Sequence, residues 1–155
     1  MILAEGRYMN NAHRITVDLD PSVTTLYDGQ WLQFTNNGTV TIADGTKRAF
    51  LTISAKYGDV GASIGAPITD APAGKDTVTP SGGKAVILIG SFKLETDQFD
   101  TTVTLSNYVV GGFLKVNGTG KLTPWVSATD KPEQIVAVCT KAPLSVNDTI
   151  GFIAL

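Results

Sequence analysis

Nowhere along the 155 residues do apolar side chains recur at helical spacing over a window long enough for an amphipathic helix. They come instead in short runs with a period of two, the repeat that puts alternate side chains on one face of a strand. Ile15, Val17 and Leu19 alternate with Thr16 and Asp18, and Ala49, Leu51 and Ile53 alternate with Phe50, Thr52 and Ser54. Trp31-Leu32-Gln33-Phe34 and Thr39-Val40-Thr41-Ile42 flank Asn36-Asn37-Gly38, where Asn37-Gly38 favours a two-residue hairpin. Val86-Ile87-Leu88-Ile89 is an unbroken apolar run bounded by Gly83 and Gly90, as expected of a strand covered on both faces. Short strands separated by turns predict an all-β fold, an antiparallel β-sandwich or a β-barrel-like domain.

The chain divides by its punctuation. Residues 1–14 carry no strong pattern and read as an extended N-terminal arm. Residues 15–155 read as a single β domain. Between 58 and 84, six glycines and Pro67, Pro72 and Pro80 predict loop, with one short strand near Ser63–Ile68 and a long Gly/Pro-rich excursion at about 70–84. Thr101–Thr104 has the β-branched content of a strand. The last third is the most regular part. There Tyr108–Val116 and Ile135–Cys139 are apolar strands on either side of the Asn117-Gly118-Thr119-Gly120 turn, and Ile150–Leu155 is the closing strand. Gly111-Gly112 inside the first run predicts a bulge or a close backbone approach. Residues 128–134 have room for one short helical turn, limited by Pro132.

Composition narrows the function classes. Net charge is −2, so the basic stripe of a nucleic-acid binder is missing, as is electrostatic attraction to anionic lipid. The opening residues lack a basic segment followed by an apolar core, and no run approaches a membrane span, so neither a secretory leader nor a membrane is expected. Cys139 is the one cysteine and lies in an apolar strand, where it reads as a small buried hydrophobe. The sequons at Asn37, Asn117 and Asn147 read as turn chemistry.

Chemistry is sparse. His13 is the one histidine and sits near the arm, far from any nucleophile–base pattern. Asp18 and Asp20 can hold a divalent cation on one face of a strand end, but they read better as solvated charges. Glu95, Asp97 and Asp100 form an acidic cluster with no cluster of aromatic residues nearby in sequence, which argues against a glycosidase. Gly74-Lys75 and Gly120-Lys121 lack phosphate-loop spacing. Trp31 and Trp125 read as core or interface residues, with Trp125, after a turn, the one more open to solvent. No enzyme activity, metal or cofactor is expected.

The ending resembles the head decoration, or cement, proteins of tailed bacteriophages. The likeness is carried by Tyr108-Val109-Val110-Gly111-Gly112-Phe113-Leu114-Lys115-Val116, by Gly118-Thr119-Gly120-Lys121-Leu122-Thr123, by Ile135–Cys139 with Thr140-Lys141-Ala142-Pro143, and by Gly151-Phe152-Ile153. It covers about the last third. It implies a non-enzymatic structural protein on the outer capsid surface of a virion, clamping neighbouring copies of the major capsid protein. It also implies a homo-oligomer, with a trimer favoured and a dimer possible. Contact residues are then expected in the arm (Arg7, Tyr8, Asn10, His13), in the long loop (Lys75, Asp76) and at Trp125, where an extended segment can add a strand to a neighbour's sheet. Competing readings are a tail, baseplate or fibre component and a carbohydrate-binding β module.

Overall fold

A computed structural model of the chain describes residues 2–4, 13–53, 77–78 and 83–155, the side chains of 2–4 and 77–78 excepted. The expected strand near 63–68 and most of the 70–84 excursion lie outside those residues. Thirteen strands are described: β1 (Ile2–Ala4), β2 (His13–Asp18), β3 (Leu26–Tyr27), β4 (Trp31–Phe34), β5 (Val40–Ile42), β6 (Ala49–Ile53), β7 (Thr77–Val78), β8 (Lys84–Ile89), β9 (Lys93–Thr96), β10 (Phe113–Val116), β11 (Leu122–Pro124), β12 (Ile135–Lys141) and β13 (Ile150–Ala154). They form a six-stranded sheet in the order β1-β9-β13-β12-β10-β11 and a five-stranded sheet in the order β2-β8-β6-β4-β5, with β3 and β7 as a separate pair. All named pairings are antiparallel. The fold is an all-β sandwich.

The main core lies between the two sheets. Trp31, Ala49, Leu51, Ile53 and Leu88 from the five-stranded sheet meet Leu94, Leu114, Val116, Leu122, Ala137, Cys139, Ile150 and Phe152 from the other. Full burial of each larger apolar side chain contributes about 1.5–3 kcal/mol. Phe152 is central, with Trp31 at 5.8 Å and Phe92 at 6.2 Å between ring centroids. A second core, of Leu19, Val23, Leu26, Leu32, Val40, Ala85 and Ile87, covers the other face of the five-stranded sheet. Strand β8 therefore sends Leu88 into one core and Ile87 into the other, as its unbroken apolar run predicts.

Four local expectations are corrected. The β4–β5 hairpin closes with three residues, 36–38, because Thr35 N donates to Thr39 O at 2.8 Å. This register sets Leu32 opposite Ile42 and Phe34 opposite Val40. A two-residue loop would have slipped it by one and placed Phe34 opposite Thr41. Thr101–Thr104 is not a strand. Asp100 Oδ1 accepts from Thr102 N and Oγ1, turning the chain into a 3-10 turn at Leu105–Asn107. Residues 109–112 form a turn, and β10 starts only at Phe113. Pro132 begins the 3-10 turn Pro132–Gln134 rather than limiting it, since its missing N–H is one that a helical start leaves unpaired anyway.

The segment expected to be an arm has two described pieces. Ile2–Ala4 pairs with β9 at the edge of the six-stranded sheet, and His13 and Arg14 open β2.

Candidate interaction surface

The six-stranded sheet buries one face and bares the other. In β13, Ile150, Phe152 and Ala154 point into the core while Ile153 is 39 % exposed. Cross-strand register carries the outward row from Ile153 to Val138 and on to Phe113, which is 46 % exposed. Trp125 N donates to Phe113 O at 2.9 Å and extends the row by one residue. The Phe113 and Trp125 rings meet edge to face, 6.0 Å apart. Val109 and Val110, in the turn that leads into β10, are 60 % and 63 % exposed, and Val126 follows Trp125 into solvent. The result is a row of partly exposed apolar side chains along one face of the sheet, with exposed valines in the turns beside it, the kind of surface that marks an interaction site.

Each part of this surface is held from behind. Gly111 N donates to Cys139 O and Cys139 N to Gly112 O, at 2.8 and 2.9 Å, so the 109–112 turn is tied to β12. This is the close backbone approach that the glycine pair predicts: a Cβ on Gly112 would stand 2.9 Å from Val109 O. The Trp125 loop is fixed by Asp130, which accepts from Val126 N and pairs with Lys115 on the strand beside it. Burial opposes the Asp130 charge, but these donors outweigh it and hold the carboxyl below its ordinary value. Trp125 Nε1 donates to Lys131 O at 3.1 Å, which sets the indole's orientation.

One edge of this surface is polar. Lys141 Nζ lies 3.0 Å from Glu95 Oε2, 2.8 Å from Thr149 Oγ1 and 3.4 Å from Asp148 Oδ1. Its pKa is raised, first by the hydrogen bond to Glu95, with burial acting the other way. Beyond this cluster the loop after β12 presents Leu144 and Val146 to solvent.

The acidic residues singled out in the sequence are separated by the fold. Glu95 pairs with Lys141, Asp97 lines an open groove with Tyr27 and Asn147, and Asp100 caps the turn at Thr102. Asp18 pairs with Lys84, and Asp20 accepts from Ser22. No group of three or more metal-ligating side chains occurs among the described residues. Cys139 is buried, and burial raises its thiol pKa. Trp31 is 2 % exposed and belongs to the core, whereas Trp125 is half-buried.

Of the expected contact residues, Arg7, Tyr8, Asn10, Lys75 and Asp76 lie outside the described residues. His13 is exposed at the start of β2, on a different sheet from Trp125, so the fold does not gather the two into one site. Val109, Val110, Phe113 and Ile153 are not among the contact residues that the sequence suggests. The available signal was the glycine pair directly after Val109-Val110, which ends the strand pattern and leaves two apolar residues in a turn.

Compared with protein-family models, curated proteins and solved structures, the chain matches none. No helix among the described residues is long and apolar enough to cross a membrane.

Proposed function

We propose that the chain is a non-enzymatic structural protein of a tailed-phage virion that binds the outer surface of the assembled capsid and clamps neighbouring major capsid subunits. The observation that carries the reading is the partly exposed apolar row of Phe113, Trp125 and Ile153, with Val109 and Val110 in the turn beside it, on a sheet whose other face is a packed core. Such a surface suits adhesion without rearrangement, and a shell multiplies modest contacts by its symmetry. The sequence resemblance, carried by the same stretch, supplies the partner. A homo-oligomer, with a trimer favoured, fits a capsid's local symmetry axes.

Co-sedimentation with phage heads tests the proposal. Purified protein is mixed with expanded heads lacking it and, separately, with unexpanded proheads. Saturable binding to expanded heads alone, at a fixed ratio to the capsid subunit, is the expected result. Absence of binding to either particle sinks the reading and moves the search to tail, baseplate or fibre parts. A carbohydrate-binding module is the second reading, favoured by the partial exposure of Trp125, and a glycan array separates it from the first.

A further inference from the structure

Asn37-Gly38 and Asn117-Gly118 stand at the tips of two hairpins, β4–β5 and β10–β11. Each pair is followed by threonine, so local sequence gives the two asparagines matching reactivity. Both glycines are exposed, and a Cβ on either would meet nothing within 4 Å. The asparagine side chains differ. Asn117 is half-buried. Its Oδ1 accepts from Thr119 N at 3.0 Å, Thr119 Oγ1 at 2.9 Å and Lys121 N at 3.0 Å, and its Nδ2 donates to Asp100 Oδ2 at 2.9 Å. Asn37 is exposed, and its carboxamide has no hydrogen-bond partner among the described residues. Gly38 N donates to Thr35 O at 3.3 Å, longer than the usual range for such a bond.

We infer that Asn37 is a site of spontaneous deamidation in the folded protein, and that the fold protects Asn117. Hydroxide takes the Gly38 amide proton, and Gly38 N bonds to Asn37 Cγ. The Cγ–Nδ2 bond breaks, ammonia leaves and a succinimide ring closes. Water then adds to either ring carbonyl and opens it to aspartate or isoaspartate. Nothing is oxidised or reduced, and water and hydroxide are the only co-reactants. The same step at Asn117 gives up the bonds that hold both ends of its carboxamide, one of them to a carboxylate, which slows it about tenfold or more. Below the Asn37 turn, Thr35 N donates to Thr39 O and the two threonine hydroxyls meet, each at 2.8 Å, so the strand pairing is fixed independently of the tip. The inference does not rest on the proposed function.

The test keeps the parent chain in mildly alkaline buffer, once folded and once unfolded in concentrated urea. Both asparagines are followed by peptide mapping with fragmentation mass spectrometry, which reads the conversion of amide to acid at each position. In the folded chain Asn37 is expected to convert about tenfold or more faster than Asn117, and in urea the two are expected to convert at similar rates. The folded product carries one added negative charge, separates on an anion exchanger and keeps the parent's urea midpoint. Comparable rates at the two sites in the folded chain overturn the inference. So does an Asn37 that folding itself slows about tenfold or more relative to urea, or a difference between the sites that persists undiminished in urea.

Discussion

At the scale of single residues, the decisive positions are those where backbone meets backbone. Gly120 holds φ 73°, and a Cβ there would stand 2.8 Å from Trp31 O and 2.9 Å from Gln30 Cγ. Gly118, two residues earlier in the same turn, has open space around it. Gly120→Ala is therefore expected to lower stability by about 2–3 kcal/mol while Gly118→Ala stays within about 0.5 kcal/mol, read from urea midpoints at constant m. Asp100 supplies a pH test. Burial raises its pKa, but the Thr102 hydroxyl, the Asn117 amide, the Thr102 N–H and the Lys121 charge together lower it below 3.8. A depressed folded pKa stabilises in full above the unfolded value and is lost as pH falls through the folded one. Stability of the parent chain should thus fall below about pH 4, and Asp100→Asn should flatten that acid limb in chemical denaturation series.

At the scale of elements, the β10–β11 hairpin is a rivet between the sheets. Its turn is closed by Asn117 Oδ1, which accepts from Thr119 N and Lys121 N at 3.0 Å each. The turn then reaches the opposite sheet: Trp31 N donates to Gly120 O at 2.8 Å and Gln30 Nε2 to Thr119 O at 2.9 Å. Across the hairpin's base, the Tyr108 hydroxyl lies 2.8 Å from Asp100 O and 3.1 Å from Leu122 O, and its ring meets Phe99 edge to face at 5.6 Å. Burial, then the Asp100 charge, push the phenol well above its ordinary value, so it stays a donor. Tyr108→Phe keeps the ring and loses the donor. It is expected to cost about 1–2 kcal/mol, checked by thermal and urea unfolding. The run at 109–112 shows how an element escapes a sequence reading. Val-Val-Gly-Gly has strand composition, but the left-handed Gly111 turns the chain so that the valines project outward.

At the scale of the whole molecule, the sandwich separates its packed core from its exposed apolar row. Core and row lie on opposite faces of one sheet, so each can be altered alone. Phe152→Ala empties the centre of the main core and is expected to cost about 3–5 kcal/mol. The double substitution Val109→Ser and Val110→Ser touches only solvent-facing groups and should leave the unfolding midpoint unchanged within about 0.5 kcal/mol. Under the proposed function it should also weaken head binding in co-sedimentation. Retained binding by the valine double variant would remove these valines from the contact surface.

Strand existence and type were legible from the residues because a period of two is a local property. Ala49, Leu51 and Ile53 declare their buried face by alternation, and the run at 86–89 declares two buried faces by having none. Turn positions were legible too, since Asn-Gly and Asp-Gly pairs meet a local need for unusual backbone angles. Tertiary structure decided what local chemistry leaves degenerate. It chose the three-residue hairpin so that Leu32 and Phe34 face Ile42 and Val40, turned Thr101–Thr104 out of the sheet through Asp100, and paired Glu95 with Lys141 from a strand 46 residues away. It also decided which face of the six-stranded sheet meets solvent. Either face of an isolated strand can be buried, and only packing against a second sheet settles which one remains free to bind.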